Sequence, residues 1–403
     1  MYQLKCAFLV CVKAWLFVTM APLNCQTDSV MKILADQNMP LVEQYFADFG
    51  EVERFDGRKL TPEQLINVDV LLTRSVTNVN HELLAQANKL RFVGTATIGI
   101  DHIDTQLLHD RNIAFTSAPG CNAVAVAEYV ISSLFALSQE NARPLCGQTI
   151  GIVGMGNIGT CLSQKLKALN VDVLLCDPIK HEQGLLQEHV ALDELLAQSD
   201  VVTFHVPLVI SGEHKTLHMM NKERLKALKP GLTLINASRG DVIDNQALLE
   251  VMEAGADLDL VLDVWEKEPN ILTELLEHVR YASVHIAGHT LEGKARGTQM
   301  LYQKLCDLKG VEVSKSLDDF LPIPAITNAT VTQSLSEQDI ARLVHLIYDV
   351  RRDDGILLRH LEGEGFDSLR KKYPVRREFS TLFLQGDSPQ LAALSQLGFS
   401  IAK

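Results

Sequence analysis

Short apolar runs recur along this chain, and most of them end in a polar loop. Residues 33–35, 68–73, 90–93, 150–153, 171–176, 201–204, 232–236 and 260–262 read as buried strands, with stretches of helical periodicity between them. Residues 41–49 and 157–169 carry apolar positions at helical spacing, and residues 122–138 are apolar on nearly every face, which predicts a buried helix crossing between domains. The alternation predicts a doubly wound parallel sheet with helices on both faces. Past residue 310 the pattern stops. Residues 317–326, with Pro322 and Pro324, read as a linker, and residues 327–403 as a small α+β unit with a helix near 340–350 and strands at 381–384 and 399–402.

One junction carries a specific chemical signal. The run at 150–153 ends in Gly154, Gly156 and Gly159, a G-x-G-x-x-G pattern, and Ile158, Leu162, Leu166 and Leu169 then recur at helical spacing. Strand, glycines and helix in that order make a dinucleotide cradle. The first glycine allows the tight turn, the second lets a pyrophosphate approach the backbone, the third lets the helix pack on the strand, and the helix N-terminus, here Asn157 and Ile158, attracts the anion. The next apolar run ends at Asp177, and 177 − 154 = 23 residues separates it from the first glycine. That is where an acid for the ribose hydroxyls belongs. Asp177 repels a 2′-phosphate and is followed by Pro178 rather than an arginine, so NAD is expected over NADP, with Lys180 and His181 close by.

Composition narrows the partners. At 403 residues with 47% hydrophobic content the chain has room for two to three domains, and a formal charge of −13 argues against a general grip on nucleic acid or anionic membrane. The eight cysteines form no C-x-x-C pair and no metal-ligand spacing, which fits a reducing compartment and gives no metal site. Residues 1–30 look foreign to the rest: Lys5 and Lys13 bracket an apolar run that makes a poor signal peptide and is too short for a membrane span. The expectation is that translation starts at Met31 and that residues 1–30 lie outside the fold.

The ends of the strands carry the candidate chemistry, because ligands of open parallel sheets lie beyond the carboxyl ends of strands. In the N-terminal part these loops are Arg74-Ser75-Val76-Thr77 and Gly94-Thr95-Ala96-Thr97 through His102. In the nucleotide half they are His205-Val206-Pro207, Asn236 to Gly240 with Arg239, Asp263 to Pro269 with Glu268, and His285 to His289. Oxidising a secondary alcohol with a nicotinamide calls for a base, a carboxylate to hold that base, and a cation for a substrate anion. His285, Glu268 and Arg239 fit those roles in turn, the guanidinium by donating two parallel hydrogen bonds to a carboxylate.

Together, Gly-Met-Gly-Asn-Ile-Gly, Asn236-Ala237-Ser238-Arg239-Gly240, Asp263-Val264-Trp265 through Glu268-Pro269, and His285-Ile286-Ala287-Gly288 resemble the D-isomer-specific 2-hydroxyacid dehydrogenase family. The resemblance implies an NAD-binding Rossmann domain at 124–286, a flavodoxin-like discontinuous substrate domain at 31–123 plus 287–315, and a C-terminal dimerisation domain at 327–403. It implies a cytoplasmic homodimer acting on a small phosphorylated 2-hydroxy acid, with Arg239, Glu268 and His285 catalytic. It further implies that Ser75 and Thr97 touch substrate and that Asp177, Val206, Asp263 and Gly288 touch NAD. After His-Ile-Ala-Gly the family commonly has a tyrosine as substrate contact, whereas this chain has His289, whose charge would vary near neutral pH. For the substrate phosphate the residues themselves favour Arg74, with Lys294 and Arg296 as rivals more in keeping with a solvated helix face. The arginines and lysines of the tail, Arg351 to Arg377, read as a mixed solvated surface. Two other readings stay open: a dehydrogenase of another 2-hydroxy acid such as phosphoglycerate, and a nucleotide-sensing interaction protein without turnover.

Overall fold

The computed structural model describes residues 30–402, so the expectation for the N-terminal extension falls outside the described chain except at Val30. The first layer is a parallel sheet of β1 (Met31–Asp36), β2 (Gly50–Phe55), β3 (Val70–Thr73), β4 (Phe92–Thr95) and β5 (Ala114–Thr116) in the order β2-β1-β3-β4-β5, with α1 (Val42–Phe46) and α2 (Thr105–Asp110) between strands. This is the flavodoxin-like order. The central strands β1, β3 and β4 coincide with apolar runs because both their faces are covered. Edge strands β2 and β5 are half-exposed and carry no such run, and the helix expected to reach residue 49 stops at Phe46 because the chain turns there into β2.

A long buried helix, α3 (Ala123–Glu140), leads into a second sheet. There β6 (Thr149–Val153), α4 (Asn157–Ala168), β7 (Asp172–Cys176), α5 (Pro178–Glu182), α6 (Leu192–Gln198) and β8 (Val201–Phe204) follow in turn. They continue into α7 (Lys222–Lys226), β9 (Leu232–Asn236), α8 (Asn245–Glu253), β10 (Leu258–Leu262) and β11 (Tyr281–Ala282). The sheet runs β11-β10-β9-β8-β6-β7, parallel throughout, so the direction of winding reverses between β6 and β8. The glycine loop follows β6 at that switch point, where ligands of such sheets bind.

The chain then returns to the first sheet. Helix α9 (Leu291–Lys309) buries Leu301, Tyr302, Leu305 and Cys306 with Ile33, Phe46 and Phe92. Gly94 makes room for it, since a Cβ there would sit 3.0 Å from Leu301.

The remaining elements are β12 (Asn328–Val331), α10 (Glu337–Ile347), α11 (Val350–Glu364), α12 (Phe366–Lys371), β13 (Phe383–Gly386), α13 (Leu391–Leu397) and β14 (Ser400–Ile401), with a parallel sheet in the order β12-β13-β14. This unit shares one continuous core with the nucleotide half: Val344, Tyr348, Leu357, Phe379 and Leu397 pack in the same cluster as α3 and the second sheet. A buried polar seam joins them. Lys165 reaches Glu128 at 3.4 Å and the Leu397 carbonyl at 2.5 Å, and Glu128 accepts from the Phe379 N–H at 3.0 Å. The expectation that the tail arginines form a solvated surface is corrected here. Arg376 is 2% exposed, lies with its guanidinium carbon 3.5 Å from the Tyr348 ring centroid, and donates to the carbonyls of Ala287 and Ala125. Among the described residues no helix is long and apolar enough to cross a membrane.

Candidate active site

The glycine loop fits a dinucleotide on its own geometry. Gly154 has φ +95°, and a Cβ there would lie 2.5 Å from the His205 carbonyl and 2.8 Å from Val206, so β6 and β8 approach at this point only with glycine. A Cβ on Gly159 would meet the Gly154 carbonyl at 2.0 Å, whereas one on Gly156 would meet nothing within 4 Å. The backbone at Gly156 therefore faces open space at the N-terminus of α4, where Asn157 and Ile158 begin the helix, as a pyrophosphate requires. Asp177 ends β7 and caps α5: one carboxylate oxygen accepts from Lys180 N–H at 3.0 Å and the other from Met155 N–H at 2.9 Å. Each oxygen keeps a lone pair for a ribose hydroxyl. The Lys180 ammonium is engaged with the Met155 carbonyl.

The catalytic candidates come together at the next strand ends. His285 Nδ1 and Glu268 Oε2 are 2.8 Å apart, and Glu268 Oε1 accepts from the Trp265 N–H at 3.0 Å. Burial pushes the Glu268 carboxyl up, but the bond and charge of His285, the Trp265 N–H and the charge of Arg370 outweigh it and hold the group below its usual range. A carboxylate in this position orients the imidazole and leaves Nε2 free for a substrate proton. His285 has φ 58°, a left-handed conformation that a bulky residue holds only when its surroundings enforce it. Asp263 supplies that enforcement. It is 1% exposed, its Oδ1 accepts from the Ser283 hydroxyl at 2.6 Å and from Ile286 N–H at 2.7 Å, and its Oδ2 accepts from Ala287 N–H at 3.0 Å. Gly288 follows, with the Asn122 amide 2.3 Å from where a Cβ would stand.

Arg239 reaches across to the N-terminal loops. Its Nη2 would be 2.5 Å from a Cβ on Gly99, and its one carboxylate neighbour, Asp101 at 3.7 Å, is 78% exposed and so binds it weakly. The guanidinium remains available to a substrate carboxylate. Thr97 lies in the same loop, its hydroxyl 2.8 Å from that of Thr95 and donating to the Gly99 carbonyl at 3.0 Å. Ser75 is exposed at the end of β3.

Three sequence-based expectations change. Arg296 is engaged with Glu378 at 2.8 Å and with the Cys121 carbonyl, so its guanidinium is committed within the protein rather than lying on a solvated helix face. Lys294 is no solvated helix residue: burial, then the charges of Arg74 and Arg370, lower its pKa to about 8. The surroundings of His289 oppose a charge on its ring. Burial, and after it Lys294, Arg370, Arg74 and His285, push its pKa well below the usual histidine range, which favours the neutral imidazole, and Nδ1 is buried and unpartnered.

This arrangement has relatives. Residues 126–290 match the NAD binding domain of D-isomer specific 2-hydroxyacid dehydrogenases, and residues 320–398 match a domain of unknown function (DUF3410). Over 372 residues the chain is 84% identical to erythronate-4-phosphate dehydrogenase of Pseudoalteromonas translucida (strain TAC 125), covering 92% of this chain and 100% of that protein. The chain belongs to the erythronate-4-phosphate dehydrogenase family. A relative of the same name from Shewanella baltica (strain OS185) is 50% identical over 92% of this chain and 99% of its own length. Among solved structures, D-lactate dehydrogenase from Aquifex aeolicus, complexed with NAD and lactic acid, is 25% identical with a TM-score of 0.56 over 69% of this chain and 96% of that one. The NAD+-bound 3-phosphoglycerate dehydrogenase of Entamoeba histolytica shares the fold at 21% identity and a TM-score of 0.60, over 72% of this chain and all of that one. The chain is an NAD-dependent dehydrogenase of this family.

Proposed function

We propose that this chain oxidises the C2 hydroxyl of 4-phospho-D-erythronate to 2-oxo-3-hydroxy-4-phosphobutanoate, a step toward pyridoxal 5′-phosphate (vitamin B6). The observation that carries the reading is the His285–Glu268 pair, at 2.8 Å, beside an intact glycine loop in a chain 84% identical to a protein of that name. Gly154, Gly156, Asn157, Ile158, Gly159, Asp177 and Val206 would hold NAD, which would supply the acceptor for the hydride leaving C2. Arg239 fixes the substrate carboxylate and Ser75 and Thr97 the hydroxyl-bearing chain. His285 Nε2 takes the hydroxyl proton, and Glu268 stabilises the imidazolium that results. Asp263 and Gly288 shape the turn that carries His285 and complete the nicotinamide end of the site.

The enzyme works as a cytoplasmic homodimer, with the C-terminal unit as the interface. Leu346, Leu358, Val375 and Phe383 are large apolar side chains of that unit left 47%, 54%, 75% and 45% exposed, which supports such a contact. The test of the catalytic reading is His285→Ala followed by NADH absorbance and NAD titration. Turnover falls by orders of magnitude while NAD affinity stays within a few-fold, and equal loss of both would make His285 structural.

A further inference from the structure

Helix α12 of the C-terminal unit is tied to the substrate half. Asp367 pairs with Arg58, from the loop after β2, at 2.9 Å. The segment that follows it lies along the His285 turn: Leu291 N–H donates to the Arg376 carbonyl at 2.9 Å, the Arg376 guanidinium donates to the Ala287 carbonyl at 3.0 Å, and the rings of Tyr373 and His289 meet edge to face at 6.2 Å. Between these anchors stands Arg370, in the last turn of α12.

Arg370 has company of its own sign. Arg74 follows β3 and Lys294 sits in the first turn of α9; both, like Arg370, are half-buried. Among the described residues none of these three side chains makes a hydrogen bond or an ion pair. Asp36 faces Arg74, and Glu268, Asp263 and Asp367 face Arg370, but only at longer range. The contacts bring the three segments together: Thr77 of the Arg74 loop donates to the Gly57 carbonyl at 2.9 Å, the next residue, Arg58, holds Asp367 of α12, and Tyr373 meets His289 in the turn that leads into α9 and Lys294. Burial, and after it like charge there, lowers the pKa of Lys294 and Arg74. Lys294 also stands at the end of a 19-residue helix that repels cations. Three like charges gathered from remote parts of the chain, beside an imidazole with a free ring nitrogen, cost free energy unless an anion joins them.

We propose that Arg370 joins Arg74 and Lys294 in a clamp for the substrate's phosphate, which makes the C-terminal unit part of the substrate site. The clamp rests on the dehydrogenase reading above only for the identity of the molecule carrying the phosphate. A phosphate dianion offers acceptors for all three side chains, and a guanidinium can take two of its oxygens at once. His289 provides a fourth contact through its free ring nitrogen.

The experiment compares wild type, Arg370→Ala and Arg370→Lys with three probes: 4-phospho-D-erythronate, unphosphorylated D-erythronate and inorganic phosphate. Losing one charge-assisted contact predicts that Arg370→Ala lowers kcat/KM for the phosphorylated substrate about 10- to 100-fold, chiefly through KM, and weakens inorganic phosphate binding by a similar factor. Turnover of D-erythronate falls far less, by the small share that the charge of Arg370 contributes at Glu268, and Arg370→Lys recovers part of the loss. Equal loss on both substrates, or no loss on the phosphorylated one, overturns the clamp. If wild type fails to oxidise 4-phospho-D-erythronate, the functional reading fails, and calorimetric titration with inorganic phosphate decides the clamp alone. Saturable binding that Arg370→Ala weakens at least tenfold supports it; absent or unaltered binding overturns it.

Discussion

Glu268→Gln removes the charge behind His285 with little change of shape. The amide keeps an oxygen for the Trp265 N–H, so the turn should persist, but its NH2 then faces His285 Nδ1 and can only donate, which favours the tautomer with the proton on Nε2 and adds to the loss. What disappears is the negative charge facing the imidazolium formed as the substrate proton is taken up. Opposite unit charges about 4 Å apart are worth about 4 kcal/mol at an effective dielectric of about 20. The two side chains are 31% and 21% exposed, so solvent screening removes a good part of this. Halving the figure leaves about 2 kcal/mol, or a fall in kcat of at least roughly 30-fold once the tautomer change is added. The assay is steady-state NADH formation at saturating NAD and substrate, with the NAD dissociation constant measured separately. A kcat within about threefold of wild type would refute the stabilising role, and so would an NAD affinity falling as far as kcat.

The glycine loop yields a contrast between two neighbouring variants. Gly156→Ala adds a methyl into empty space, so thermal stability should hold while NAD affinity drops; Gly159→Ala drives a Cβ into the Gly154 carbonyl and should lower Tm by several degrees, both read by thermal melts with and without NAD. Lys294 makes stability and affinity depend on pH. Its folded pKa, about 8, lies below the unfolded value of about 10.4, so the buried ammonium destabilises the substrate-free protein fully below pH 8 and not at all above about 10.4. Lys294→Met should therefore raise Tm at pH 7 and leave it unchanged at high pH, and KM for a phosphorylated substrate should climb in wild type above pH 8. Lys165→Met leaves the buried Glu128 carboxyl, already pushed up to about 8 by burial, without its cation and should cost up to about 3–5 kcal/mol in urea unfolding, with coincident transitions from probes in the C-terminal unit and the nucleotide half.

The glycine loop and the strand ends were legible because each is local. Gly154, Gly156, Gly159 and Asp177 are read from one βαβ stretch, and Arg239, Glu268 and His285 each close a buried strand or follow the next one. Edge strands β2 and β5 were not, since a half-exposed strand such as Gly50–Phe55 has no apolar run to reveal it. The cation cluster was hidden for a different reason. In sequence, Lys294 and Arg370 look like ordinary charges on helices; only folding brings residues 74, 294 and 370 together with no acid in direct contact. The same holds for Arg376, whose place under the His285 turn depends on a core shared between the tail and α3, which no periodicity in either segment encodes.

The central claim is the substrate, and one measurement reaches it most directly. Purified protein is supplied with NAD and, in parallel, with 4-phospho-D-erythronate, 3-phosphoglycerate and D-lactate, and NADH formation is followed by absorbance. The account predicts the largest kcat/KM for 4-phospho-D-erythronate by at least two orders of magnitude. Turnover of either other substrate without turnover of 4-phospho-D-erythronate would contradict it.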